Sequence, residues 1–220
     1  MYPINNLIGI EQIEKGIEEK HVIIFLLLKP SDTDADDYIK NFNYWHYLSK
    51  KYCAIYLLGY SKMKSSDYPD FQTISGTDNE DFYYSDRCFI EVCDQLERRL
   101  TNWTYSGEPE LIILQNSQSS NGILDFSNYN YIDINYGLQK GYIDSFSRFM
   151  KRLIDSCKSE VTATDAVRKS RLKRISPRSV LEKAIEDTPK LPLPIKNILN
   201  DKLFYKTCKT KSGGRVLCHY

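Results

Sequence analysis

Two runs of apolar residues stand out along the chain, and each has the length of a buried strand. Residues 22–28 are seven consecutive apolar residues between His21 and Lys29-Pro30. A membrane span needs about 20 such residues, whereas about four to eight suffice for a strand buried on both faces of a mostly parallel sheet. The β-branched residues and the flanking proline favour a strand over a buried helical segment. A second run, at residues 53–60, predicts a second buried strand.

Helical periodicity and turn residues divide the rest of the first 157 residues. Ile10, Ile13 and Ile17 lie at helical spacing with acidic residues on the other side, which predicts a short amphipathic helix within residues 5–19. The same spacing predicts further helices over about 38–51, 85–100 and 142–157. Strands are predicted at 110–115, 123–126 and 131–136, and the polar stretch 61–80 is predicted to cross the surface. The predicted order is α-β-α-β-α-β-β-α.

This order resembles the thioredoxin fold, in which a βαβ unit is followed by a helix, a β-hairpin and a closing helix. Thioredoxin-like proteins also enter the third core strand through a cis proline, typically in Gly-x-Pro-Thr before an apolar run. Gly107-Glu108-Pro109-Glu110 has that form here, with Glu in place of Thr. The resemblance covers roughly residues 5–157 and implies an α/β domain at 1–157 with a thioredoxin-like central sheet flanked by helices. It also implies that the Glu108–Pro109 peptide bond is cis.

The resemblance does not extend to redox chemistry. A thioredoxin-like oxidoreductase carries CxxC after its first core strand, where a helix N-terminus lowers the thiol pKa, but residues 30–36 contain no cysteine. Glutathione-binding transferases of this fold use a serine there, a position that Ser31 could fill, but they carry a large helical second domain. Asp32 and Asp34 resemble the Asp-x-Asp of haloacid-dehalogenase phosphatases, which need a further acidic pair to hold Mg²⁺. The simplest interpretation is that these acidic residues cap a helix.

Cysteine usage and the N-terminus indicate an intracellular protein. The six cysteines, at positions 53, 88, 93, 157, 208 and 218, include no CxxC pair. The three histidines do not cluster with them, so we expect no metal site. Phosphate-loop and dinucleotide motifs are absent from the sequence, so we also expect no cofactor. Because the chain starts with a polar segment of mixed charge rather than a signal peptide, we expect a cytoplasmic location, reduced thiols and no membrane association.

The net charge of +1 conceals two oppositely charged parts. Residues 1–157 carry 15 Lys and Arg against 23 Asp and Glu, whereas residues 158–220 carry 15 against 6. We therefore predict a basic, helical C-terminal extension at 158–220, with a flexible end from about residue 206. Six of its basic side chains are candidates for binding a partner or phosphate: Arg168, Lys169, Arg171, Lys173, Arg174 and Arg178.

Two short helices are predicted after this basic stretch, at about 176–187 and 195–203. Their apolar residues need a surface to cover and are candidates for docking on a partner: Val180, Leu181, Ile185, Ile198 and Leu199. We therefore expect a non-enzymatic binding or adaptor component of an intracellular protein assembly, whose tail docks on the acidic body or on a protein partner. Two alternatives remain open. One is a nucleic-acid-binding accessory protein that uses the basic tail, and the other is a transferase or metal-dependent hydrolase that uses the acidic loop.

Overall fold

The computed structural model describes residues 2–17, 19–32, 35–50, 52–75, 81–119, 122–159, 162–170, 205–210 and 216–219. The strands are β1 (Tyr2–Ile4), β2 (Val22–Leu27), β3 (Cys53–Leu58), β4 (Tyr60–Ser61), β5 (Gln72–Ser75), β6 (Asp81–Tyr84), β7 (Glu110–Ser119), β8 (Gly122–Leu124), β9 (Asn128–Asp133), β10 (Tyr205–Thr210) and β11 (Val216–His219). The helices are α1 (Leu7–Lys15), α2 (Ala35–Lys40), α3 (Phe42–Ser49), α4 (Asp86–Arg99), α5 (Ile134–Gln139), α6 (Phe146–Cys157) and α7 (Ala163–Lys169).

Strand β2 lies inside the larger sheet, as its uninterrupted apolar sequence predicts. It runs parallel to β3, with Ile24 opposite Ile55, and antiparallel to β7, with Ile24 opposite Ile113. All six residues of β2 and all six of β3 are buried. Such strands present apolar side chains to both faces of the sheet, so both faces must be covered.

The larger sheet has eight strands in the order β1-β3-β2-β7-β9-β10-β11, with β8 paired to β7. Strands β1, β3 and β2 are parallel, and the later pairs are antiparallel. Helices flank this sheet and contact one another. Glu11 of α1 pairs with Arg99 of α4, and the ring centroids of Tyr38 in α2 and Phe146 in α6 lie 3.7 Å apart. The predicted mixed α/β architecture is confirmed. Among the described ranges, no helix combines the length and the apolar character needed to cross a bilayer.

Helix α1 buries a different stripe from the predicted one. Leu7, Ile10 and Glu14 are buried, whereas Ile13 is 36% exposed. The prediction that the acidic side chains face away from the core is therefore wrong for Glu14. Its spacing from Leu7 and Ile10 places it on the same helical face, and its carboxylate contacts Tyr56 of β3.

Several boundaries differ from the predicted ones because short elements depend on their partners more than on local pattern. The helix predicted over 38–51 is divided into α2 and α3. The stretch predicted to cross the surface contributes β4 and β5, which form a three-stranded sheet with β6. The strand predicted at 131–136 ends at Asp133, whose side chain caps α5. Helix α6 begins at Phe146 rather than at residue 142.

The prediction of a cis bond before Pro109 is wrong. The described residues contain no cis peptide bond, so the Glu108–Pro109 bond is trans. The turn into β7 is made instead at Gly107, whose φ of 90° lies in a region that other residues rarely adopt. The Pro109 carbonyl then accepts a hydrogen bond from the Ile134 N–H at 3.0 Å. The resemblance to thioredoxin-like proteins therefore loses its local motif and depends on the order of elements.

The C-terminal region also departs from the prediction. The end expected to be flexible contains β10, which pairs with β9 so that Cys208 lies opposite Tyr129, and β11, which pairs with β10. This pairing satisfies backbone groups that β9 would otherwise expose at a sheet edge. Helix α7 was not predicted, and its Ala166 and Val167 are buried. The described part of 158–220 is thus helix and strand, and the helices predicted at 176–187 and 195–203 lie outside the described residues.

Candidate functional site

Four carboxyl side chains gather where β2 ends and β7 begins, and we call them the acidic edge: Asp32, Glu108, Glu110 and Asp133. Strand pairing brings them together, because Glu110 lies opposite Leu27 of β2 and also opposite Asp133 of β9. Asp32 belongs to the loop that follows β2. Ligands of open α/β sheets bind beyond the carboxyl ends of parallel strands, and the acidic edge lies at that end of β2.

Glu110 is fully buried, and its carboxylate accepts hydrogen bonds from three described residues. Its Oε2 accepts the Trp103 Nε1–H at 3.1 Å, and its Oε1 accepts the Ser106 N–H at 3.1 Å and the Tyr131 hydroxyl at 3.2 Å. Burial raises the pKa of Glu110 to about 7, although these donors oppose the rise. Glu110 therefore ties the segment before β7 to the sheet and changes charge near neutral pH.

Asp32 is partly buried and turns back toward the end of β2. Its Oδ2 accepts the Lys29 N–H at 2.6 Å, and its backbone carbonyl accepts the Ala35 N–H at 3.1 Å. Burial raises the pKa of Asp32, the contacts with Lys29 oppose the rise, and the negative charge of Glu108 adds to it. Asp32 thus closes the turn after β2, and its carboxyl group experiences the charge of Glu108.

Aromatic rings surround the amine of Lys29 at this end of the sheet. Its Nζ lies 5.4 Å from the ring centroid of Tyr105 and 5.6 Å from that of Phe89, which is cation–π geometry. The buried hydroxyl of Tyr105 has no hydrogen-bond partner within the described part of the chain. The Tyr60 hydroxyl donates to the Leu28 carbonyl at 3.1 Å and so joins the ends of β2 and β3.

Asp133 and Glu108 complete the acidic edge. Asp133 accepts the Tyr136 N–H at 2.8 Å, and burial, together with the nearby charge of Glu108, raises its pKa despite that bond. Glu108 is exposed and accepts a hydrogen bond from the Asn135 side-chain amide. Like charges that act on one another favour the arrival of a cation. Across the described ranges, however, no three His, Cys, Asp or Glu side chains are arranged to hold a metal ion.

Four of the cysteines are suited to packing rather than to thiol chemistry. Cys53, Cys88, Cys93 and Cys157 are buried and free. Burial raises the pKa of Cys88 to about 11 and that of Cys93 to about 12. Since the thiolate is the reactive form, neither side chain is activated as a nucleophile.

Two of the predicted binding residues lie at the C-terminal end of α7. The side chain of Arg168 is 76% exposed, with its Nη1 3.5 Å from Asp165 Oδ1. Lys169 donates from Nζ to Ser159 Oγ at 2.8 Å. The other predicted binding residues lie outside the described residues: Arg171, Lys173, Arg174, Arg178, Val180, Leu181, Ile185, Ile198 and Leu199. Asp34 of the acidic loop lies outside them as well, whereas Ser31 is described and exposed.

Sequence reasoning identified Asp32 and missed the importance of the other three carboxyls. Glu110 carries a readable signal, because a lone charged residue at the head of an apolar strand is costly to bury unless it is hydrogen-bonded. Glu108 and Asp133 carry none, because only the pairing of β7 with β9 brings them together.

Comparisons with protein-family models, with curated proteins and with solved structures give no match for this chain.

Proposed function

We propose that this chain is a non-enzymatic, protein-binding component of a larger assembly, with a thioredoxin-like body and a basic segment, residues 168–204, that docks on protein surfaces. Support for the thioredoxin-like body comes from the order of its elements. Along the chain, helices α2 and α3 lie between the parallel strands β2 and β3. Helix α4 comes later, followed by the antiparallel strands β7 and β9 and then by helix α6. The thioredoxin fold joins a βαβ unit, a helix, a hairpin and a closing helix in this order.

The absence of redox activity is proposed from the residues at the end of β2. Pro30, Ser31 and Asp32 occupy the place where redox-active members of that fold carry their thiolate. The partly buried Asp32 carboxyl would raise the pKa of a thiol beside it, so the local electrostatics oppose thiolate chemistry as well. A binding role for this end of the body requires neither a thiolate nor a metal.

The points where the basic segment leaves and rejoins the body support the proposal that it docks on protein. The segment leaves the body at α7, which is anchored by the buried Val167, and the chain returns at Tyr205, which pairs with Ile132. Ile132 directly precedes Asp133, so the return point lies beside the acidic edge. Residues 168–204 contain ten Lys and Arg against four Asp and Glu. Tethering at both ends would keep these positive charges at high effective concentration near the four carboxyls.

Docking on the acidic edge would be the resting arrangement of the free protein. Burial is the main cause of the raised pKa of Asp32 and of Asp133, and positive side chains there would offset the charge of Glu108 that adds to it. A protein partner that presents an acidic surface with an apolar groove would then compete for the segment. This partner would contact the apolar residues of the segment, Leu181 and Ile198 among them, as well as its basic side chains.

Nucleic-acid binding is the second candidate, favoured by the exposed guanidinium of Arg168. The two functions are separated by titrating salt during binding to a generic DNA duplex and a generic RNA. Six phosphate contacts would give a log–log slope near −5, so affinity would fall roughly a thousandfold between 50 and 200 mM salt. We expect only weak binding without this steep dependence.

The variant Arg171→Gln/Arg174→Gln, with Lys62→Gln/Lys151→Gln as its charge-matched control, shows whether any binding belongs to the basic segment. Tight, steeply salt-dependent binding that only the first variant loses would contradict the proposal and support the nucleic-acid function.

A further inference from the structure

A second buried carboxylate lies near the opposite end of β2, where α1, β2 and β3 meet. Glu14 is 1% exposed, and its Oε1 accepts the Tyr56 hydroxyl at 2.5 Å. Its Oε2 lies 2.9 Å from the Nε2 of His21, whose side chain is 9% exposed. A buried carboxylate is costly unless a charged or hydrogen-bonded partner compensates it. The protonated imidazole of His21 is the cation at hand.

Asn116 of β7 holds the other side of His21. Its Oδ1 accepts the His21 backbone N–H at 2.9 Å, and its Nδ2 donates to the Glu19 carbonyl at 2.9 Å. The ring Nδ1 of His21 lies 3.0 Å from the Glu19 carbonyl and 3.1 Å from Asn116 Nδ2. We call Glu14, His21, Tyr56 and Asn116 the latch.

The distances around Nδ1 suit two protonation states. In the imidazolium, the Nδ1–H donates to the Glu19 carbonyl while the Nε2–H faces Glu14. In the neutral ring with its proton on Nε2, Nδ1 becomes an acceptor for the Asn116 amide. Deprotonation therefore removes the positive charge that compensates Glu14 and links α1 to the start of β2, whereas the Asn116 bonds to the backbone of Glu19 and His21 remain.

We propose that the latch is a pH-operated fastening, which holds α1 and the Gly16-Ile17 segment that follows it against the sheet while His21 is protonated and releases them when it is neutral. A cavity of about 290 Å³ lies at this place. Its walls include Gly16 and Ile17 of the fastened segment, together with Tyr2 of β1, Ala54 of β3 and Lys50 at the end of α3. Release of the segment would remove one wall of this half-open cavity.

The groups facing His21 determine the direction of the pH response. Burial lowers the pKa of His21, but the bonds and charges of Glu14 and Glu19 outweigh it and raise the pKa above its usual 6.5. Tyr56 faces the same carboxylate from β3, and Tyr2 and Lys50 line the cavity with His21. A group whose pKa is higher in the folded than in the unfolded protein stabilises the fold fully at pH values below its unfolded-state pKa. This stabilisation is lost as the pH rises through its folded-state pKa.

Thermal unfolding of the full chain between pH 6 and pH 9 tests the latch. The Tm of the wild type should fall by roughly 3 to 6 °C relative to that of His21→Gln as pH rises through this range, because the variant cannot titrate there. His46→Gln is the matched control, since it removes another imidazole and should keep the wild-type slope. Equal slopes for the wild type and His21→Gln would overturn the proposal.

Two further measurements separate the latch from a general loss of stability. The His21 ring resonances of the wild type should titrate above pH 6.5, and titration at or below that value would contradict the proposal even if His21→Gln failed to fold. Trypsin at a fixed pH of 7 should cleave after Lys15, at the end of α1, several times faster in His21→Gln than in His46→Gln. Equal cleavage rates would show that His21 does not fasten the segment.

Discussion

Glu110 and Glu14 are buried carboxyls near opposite ends of the central strand β2, and they are stabilised in different ways. Among the described residues, Glu110 is compensated by neutral donors, from Trp103, Ser106 and Tyr131. Glu14 faces an imidazole at 2.9 Å as well as the Tyr56 hydroxyl. Neutral donors do not fully replace water around a charge, so the pKa of Glu110 is raised to about 7. At the latch it is the pKa of His21 that is raised, which gives the two ends of the strand different pH responses.

The largest expected effect is the loss of the Glu110 hydrogen bonds. Glu110→Ala leaves three donors without their acceptor, two of them in the turn before β7. We expect the free energy of unfolding at pH 7 to fall by about 3 to 5 kcal/mol, measured by urea denaturation. Glu108→Ala is the control, because it removes an exposed carboxyl two residues away and should cost less than about 1 kcal/mol. Similar losses for both variants would show that the three bonds do not stabilise the fold.

The next effect is the pH response of the acidic edge. Because folding raises the pKa of Glu110 from 4.5 to about 7, its protonated form favours the folded state, and this contribution is lost as pH rises between those values. Glu110→Gln cannot titrate. Its stability relative to the wild type should therefore improve from pH 4.5 to pH 7, by up to about 3 kcal/mol. Urea denaturation at both pH values measures the change. A difference between the two proteins that is constant with pH would show that the carboxyl titrates normally.

A smaller effect compares two buried tyrosine hydroxyls. Tyr56 donates to a carboxylate and Tyr60 to a backbone carbonyl. Bonds to charged groups are the stronger kind, so we expect Tyr56→Phe to cost about 2 kcal/mol and Tyr60→Phe about 1 kcal/mol at pH 7. Chemical denaturation of the two variants side by side measures this. Were Tyr60→Phe the more destabilised protein, the compensation described for Glu14 would be incorrect.

The sequence was most informative where one apolar pattern decides the structure. The apolar faces predicted for the helices at 85–100 and 142–157 are buried in α4 and α6, as are the two apolar strands. These elements have long, regular patterns, which identify a buried face reliably.

The sequence could not predict which distant segments pair with one another. The addition of β10 to β9 depends on register, and the burial of Glu14 depends on a histidine and a tyrosine from other elements. The acidic edge depends both on strand register and on side chains from several elements. Asp32 could be identified from its loop, but Asp133 reaches Glu110 only through the pairing of β9 with β7.

The most direct test of the account is where the basic segment lies in the free protein. Zero-length carbodiimide cross-linking of the monomer, followed by mass spectrometry, joins lysines only to carboxyls in contact with them. We predict that Lys173 links to Glu108 or Asp32 at low salt and that these links disappear in about 0.5 M salt, where such attractions are screened. Asp67 and Asp94, exposed on other parts of the body, are the internal controls. Links from Lys173 to these two residues as frequent as those to the acidic edge would contradict docking at that edge.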